Sequence, residues 1–190
     1  MTKKIIFLII AILVFGAGGF FWWQGREIKG SPEDYVIKET PEGKIVENKK
    51  VGLTYKIPQD WILENGNPKR FYSPDTKFKE KSSVFLEKGC KVYVYASYIK
   101  TNLDTLQKFI DADFSESSPV IKIDESSTAK VSNYSALRHK YHVEKFGMAY
   151  ISIDFPAKDK LYRILLSNPI EEKERCEEEF NKFLEVVSVK

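Results

Sequence analysis

His139 and His142 are the only histidines in this 190-residue chain, so any metal or acid–base chemistry that needs imidazole must use them. They sit three apart in Arg138-His139-Lys140-Tyr141-His142-Val143, a run that reads as an extended strand. An odd spacing in a strand sends side chains to opposite faces, so the pair cannot share one metal unless a bulge intervenes. A Ser/His/Asp arrangement can be assembled on paper from the many serines, but the chain has no nucleophile-elbow sequence. Glu171, Glu172, Glu174, Glu177, Glu178 and Glu179 crowd one C-terminal segment. They lack the loop and glycine of a calcium site, and the solvated face of an amphipathic helix accounts for them. The sequence therefore predicts no catalytic residue, no metal site and no cofactor, and points away from an enzyme.

Three other groups of residues suggest contacts, not reactions. Cys90 opens the strand CKVYVYASYI on the face of Val92, Val94 and Ala96, and Cys176 lies on a helical stripe with Phe180, Phe183, Leu184 and Val187. Both thiols point toward the core; a Cys90–Cys176 disulfide and two buried free thiols both remain open. Lys77, Lys79 and Lys81 share a face if Asp75–Lys81 is extended, where they would either attract anionic headgroups or wall polymers, or blunt an edge strand. Trp61 follows the strand-ending Pro58 and reads either as a core plug or, with Tyr72 and the Asn65–Lys69 loop, as a partner surface. Tyr93 and Tyr95 join that surface should no helix cover them.

The elements that hold these residues follow from pattern. Asp34–Thr40 and Lys44–Glu47 flank Pro41-Glu42-Gly43 as a hairpin, and Val51–Ile57 is a strand stopped by Pro58. Arg70–Ser73, Ser82–Glu87 and Cys90–Ile99 read as further strands. Thr101 is a plausible cap for a helix of about three turns whose apolar stripe is Leu103, Leu106, Phe109, Ile110 and Phe114. Val120–Asp124 and Thr128–Val131 look like two short strands, and Tyr134–Lys145, Met148–Phe155 and Leu161–Leu166 like a meander. Asn168-Pro169 predicts a cap and first helical position for a final helix ending near Glu185, with Val186–Val189 extended. Neither face of the strand around Val92–Tyr98 is clearly polar, which predicts a central strand covered on both sides. The fold class expected is α+β: an antiparallel β-sheet flanked by helices on both faces.

Ahead of this domain runs Ile5–Trp23, nineteen residues without a charge, directly behind Lys3 and Lys4. At about 1.5 Å per residue such a helix matches a bilayer's hydrocarbon core. The positive-inside rule keeps residues 1–4 in the cytoplasm and sends everything after Gln24 across. Bulky Phe20-Phe21-Trp22-Trp23 follows the small residues Ala17-Gly18-Gly19, which suits an interfacial aromatic belt better than a cleavage site. Residues 24–32 form a linker that reaches roughly 30 Å when extended, so the domain from 33 to 190 stays near the membrane. Without Lys3 and Lys4, the 30 basic residues nearly balance the 27 acidic ones, which argues against a nucleic-acid partner.

The phrase GLTYKIPQDW (Gly52–Trp61), then VYVYASYI with the helix TNLDTLQKFI, then VSNYSALRHKY, LYRILLSN and the closing FNKFLEVVSV, resembles PsbP-like domains in order and spacing. The match spans about Val51–Val189. The resemblance implies an antiparallel sheet with helices on both faces and a binding role without a reaction of its own. The chain departs from the photosynthetic type in its anchor and its extra hairpin, so support of oxygen evolution does not transfer. The expected function is a non-enzymatic binding or assembly module on the outer face of a cytoplasmic membrane, engaging another envelope protein. The alternative is a small-ligand or cation sensor.

Overall fold

The computed structural model describes residues 34–117 and 120–190; the expected cytoplasmic tip, anchor and linker lie outside the described residues. Among the described residues no helix is long and apolar enough to cross a membrane. The chain opens with a hairpin, β1 (Tyr35–Thr40) and β2 (Gly43–Asn48), followed by β3 (Leu53–Pro58). Gly43 closes the hairpin at φ +136°, and an added Cβ there would run into the Ile57 carbonyl oxygen. Next come β4 (Ile62–Glu64), β5 (Asn67–Tyr72), β6 (Lys77–Phe78), β7 (Leu86–Lys88) and β8 (Lys91–Ser97). Helix α1 (Leu103–Ser117) precedes β9 (Lys122–Val131), β10 (Tyr134–Val143), β11 (Met148–Ala157) and β12 (Lys160–Pro169). A 3₁₀ turn at Ile170–Glu172 leads into α2 (Lys173–Glu185), and β13 (Ser188–Val189) ends the chain.

These strands form two principal sheets, both antiparallel. The seven-stranded sheet has the order β4-β5-β8-β12-β11-β10-β9, and the four-stranded sheet the order β1-β2-β3-β13. Period-two alternation divides β12 cleanly: Tyr162, Ile164 and Leu166 enter the main core, while Leu161, Arg163 and Leu165 face the other way. The main core lies between the seven-stranded sheet and a second layer made of the four-stranded sheet and α2. Tyr55 of β3 anchors that layer: its ring lies 6.2 Å from Phe71 and 5.9 Å from Phe183, and its hydroxyl donates to the Pro68 carbonyl at 2.9 Å. Tyr162 likewise donates to the Val51 carbonyl at 2.6 Å. Both phenols therefore bury rings without stranding a donor.

The α+β class holds, with helices on opposite faces of the large sheet. The four-stranded second sheet goes beyond the hairpin read from sequence. Several boundaries also move. Asn102, not Thr101, caps α1, its Oδ1 accepting the Thr105 amide at 2.9 Å, and the helix runs fifteen residues. The two short strands expected around residues 120–131 are one ten-residue strand, β9. Asn168 and Pro169 end β12 and do not start the helix; the Asn168 amide donates to the Pro169 carbonyl, and α2 has no side-chain cap. Ser82–Phe85 is not strand; β7 begins at Leu86.

Candidate functional site

The two faces of the seven-stranded sheet are closed very differently. On the core side, α2 lays Cys176, Phe180 and Phe183 against the sheet, and Cys176 is joined to Cys90 beside β8 by a disulfide across a Cα–Cα distance of 5.5 Å. Both cysteines are fully buried. Arg138 and Lys140 of β10 hold the same helix through Glu177, at 2.9 and 2.7 Å. The bridge suits an oxidising, extracytoplasmic compartment.

Among the described residues, the opposite face carries α1. Reading across the strands there, Tyr93–Leu165–Ser152–His139 form one row and Tyr95–Arg163–Asp154–Leu137 the next. Leu103, Leu106, Ile110 and Phe114 of α1 pack on Ile99, Leu137 and Leu161, and Gln107 and Phe114 cover His139. Seven strands at about 4.8 Å make a face some 30 Å wide, while a helix spans about 10 Å. α1 therefore covers only part of that face. Beside α1 lies a groove of about 570 Å³, floored by Tyr93, Tyr95, Leu165 and Arg163 and walled by Thr105, Phe109 and Asp113.

Three features give this groove its chemistry. Phe109 on its lip is 76% exposed, the most exposed large apolar side chain among the described residues. Arg163 in its floor is held through Nε by the wholly buried Asp154 at 2.5 Å, yet 45% of its side chain stays accessible. Burial works to lower the Arg163 pKa, but the Asp154 carboxylate outweighs it, so the guanidinium stays charged. Behind the groove, Tyr141 stacks on Tyr150 at 5.1 Å, and burial pushes the Tyr141 phenol up to about 12, keeping it a neutral donor.

The same face brings Ser152, His139 and Asp154 together, the residue types of a hydrolase. No hydrogen bond links Ser152 to His139 among the described residues; His139 Nε2 meets Gln107 at 3.4 Å, and Nδ1 and the Asp154 Oδ2 are unpartnered. His139 is fully buried under α1, and burial lowers its pKa. His142 faces the other way and pairs with Asp124 at 2.8 Å. The bulge at Lys140/Tyr141 falls in the pairing with β9 and leaves the two imidazoles on opposite sides.

Of the two readings of Trp61, the structure gives the core plug and not the partner surface: it is buried and packs on Phe71 at 5.7 Å. Tyr72 is half-buried, its ring edge-on to Phe78 at 6.0 Å. Lys77, Lys79 and Lys81 do not share an extended face. Lys77 sits in the two-residue β6, Lys79 donates to the Phe146 carbonyl at 2.5 Å, and Lys81 adopts φ +59° and turns the chain. Tyr93 and Tyr95 are half-buried and line the groove beside α1. Arg163, Asp154 and Leu165 were not anticipated. Their signal was a lone Arg in LYRILL and a lone Asp in YISIDF, charges at non-terminal positions of otherwise apolar strands.

No family model matches the chain, and no curated protein matches it in sequence. Among solved structures, it is similar to LpqN of Mycobacterium tuberculosis, described as involved in cell envelope biogenesis. The TM-score is 0.53 at 14% identity, over 83% of this chain and 93% of that one. It is also similar to the cyanobacterial PsbP (CyanoP) of Synechocystis, with a TM-score of 0.49 at 14% identity, over 76% of this chain and 90% of that one. At such identities the likeness is one of fold alone.

Proposed function

We propose that this chain is a membrane-anchored, extracytoplasmic, non-enzymatic binding or assembly module that engages another envelope protein through the groove beside α1. The observation that carries this reading is the groove beside α1, where the accessible Arg163 guanidinium lies near the exposed Phe109. Exposed apolar surface of this kind marks recognition sites on soluble domains. The uncharged run Ile5–Trp23 and the short linker would hold the groove close to the membrane surface. The envelope-biogenesis role stated for LpqN is compatible with such a module.

The test is lysine-reactive crosslinking of the full-length protein in its membrane, followed by mass spectrometry of what co-purifies. One dominant envelope protein is the expected result; none above background overturns the reading. The groove volume also falls in the range of small-ligand pockets, which favours a ligand sensor as the second reading. In that case a metal or metabolite panel raises the melting temperature, because a ligand that binds only the native state stabilises it.

A further inference from the structure

Resting on the membrane anchor of that reading, we propose that the domain stands with its Lys49, Lys158 and Lys160 end against anionic lipid headgroups of the same membrane. Strand register decides which side chains share that end. Lys49, in the β2–β3 turn, donates its amide to the Asp34 carbonyl at 2.8 Å, so the chain enters the domain there. The same turn is tied down by Tyr162, which donates to the Val51 carbonyl, and by the Lys190 amide, which donates to the Gly52 carbonyl. Tyr162 follows Lys160 by two residues, so the β11–β12 turn with Lys158 belongs to this end. Ser97 pairs with Leu161, which brings the end of β8 and Lys100 there as well. Lys100, Lys158 and Lys160 line one shallow depression of about 430 Å³ beside the first turn of α1.

Charge and reach select the occupant. Asp159 takes up Lys100 at 2.8 Å, whereas Lys49, Lys158 and Lys160 have no ion-pair partner among the described residues. The glutamates that open α2 lie at the opposite end, where Glu172 accepts the Gly89 amide ahead of β8. The domain thus turns unpaired cations toward the side from which the chain leads back to Ile5–Trp23. The nine residues 24–32 reach roughly 30 Å when extended. That keeps this end near the bilayer, yet it exceeds the screening length of about 10 Å, so the tether alone does not seat the domain. Lysine is a hydrated point charge on a flexible stem, which suits a layer of phosphate headgroups better than a fitted pocket. Each lysine near an anionic surface strengthens the association about fivefold.

The experiment reconstitutes the full-length protein in vesicles of phosphatidylcholine, with or without phosphatidylglycerol, and follows lysine acetylation site by site by mass spectrometry. Lys81 and Lys145 are the controls, because both are exposed and lie at the opposite end, where Lys79 meets the Phe146 carbonyl. The expected result is acetylation of Lys49, Lys158 and Lys160 about fivefold slower with phosphatidylglycerol than without it. Rates at Lys81 and Lys145 stay unchanged, and the protection disappears in about 1 M sodium chloride, where the screening length is about 3 Å. In Lys158→Glu/Lys160→Glu, Lys49 loses its protection while the melting temperature remains that of wild type. Equal rates in the two lipids, protection that salt does not reverse, or protection at Lys81 and Lys145 instead overturns the inference. An envelope protein crosslinked in the membrane without any lipid-dependent protection leaves the binding-module reading standing and removes this one. Protein that washes off the vesicles removes the anchor on which both rest.

Discussion

The Cys90–Cys176 bridge closes a loop with a sequence separation of 86 residues, pinning the start of β8 to the middle of α2. Replacing both residues with alanine removes that closure from the unfolded chain. Chain-entropy reasoning for a loop of this length gives a loss of about 4.6 kcal/mol, a large part of the 5–15 kcal/mol typical of a domain. For a domain of this size, that corresponds to a fall of about 9–18 °C in melting temperature. Both sulfurs are fully buried, so the native protein should also resist a phosphine reductant that readily opens the bridge in urea. The assay is urea and thermal unfolding of wild type and Cys90→Ala/Cys176→Ala by far-ultraviolet circular dichroism, with and without reductant. A loss below about 1 kcal/mol, or a wild type reduced as fast folded as unfolded, would refute the view that the bridge clamps α2 to the sheet.

Acidification should weaken the fold through His139. Its pKa is lowered from 6.5 because burial disfavours the imidazolium, so the unfolded state binds the proton more tightly; this stability is complete above 6.5 and lost as pH falls below it. The urea midpoint should drop from pH 7.5 to 5.5 in wild type and drop less in His139→Gln; equal slopes would exclude His139 as the source. Tyr162→Phe should cost about 1–2 kcal/mol by chemical denaturation, because the Val51 carbonyl loses its buried partner at 2.6 Å; an unchanged midpoint would mean water replaces it. Asp154→Ala should cost about 1–3 kcal/mol, less than a fully buried pair, since Arg163 is partly accessible and can turn outward. A loss above about 5 kcal/mol would show that the carboxylate holds more than Arg163.

The legible parts of this fold were those in which neighbouring residues alone decide the outcome. Gly43 at a positive φ and the alternation on either side of it specify the first hairpin, and period-two patterning specifies β8 and the β10–β12 meander. The inward aim of Cys90 and Cys176 followed from strand and helix periodicity. What stayed hidden depends on distant partners. β9 reads as two weak fragments because its Ser126-Ser127 centre is polar, yet β10 pairs along nearly its whole length and makes it one strand. Asn168-Pro169 has the chemistry of a helix start, but Met148 and Ala149 across the ladder hold both residues in β12. Phe109 matched the apolar stripe of α1 by type, and only the position of the helix on the sheet leaves it exposed.

The same dependence on distant partners explains why the proposed binding site lies on the α1 face. On the core side, a disulfide, two hydrogen-bonded tyrosines and a second sheet cover the large sheet. On the other side, α1 is held by a small cluster around Leu106, Ile110, Leu137 and Leu161, above a floor that includes the buried His139 and Asp154. β12 belongs to both sides: Tyr162, Ile164 and Leu166 fix it in the core, so Arg163 and Leu165 enter the groove from a strand that cannot shift. A guanidinium carried on so rigid an element, and tethered by Asp154, has already lost most of the freedom that binding would otherwise take away. The bridge at Cys90 extends that rigidity to β8, whose Tyr93 and Tyr95 complete the floor. Loss of the bridge should therefore loosen the groove before it unfolds the domain, and lysine-reactive crosslinking to the proposed partner should fall in Cys90→Ala/Cys176→Ala at temperatures where the circular dichroism is still native; an unchanged yield would mean that the groove does not depend on the bridge.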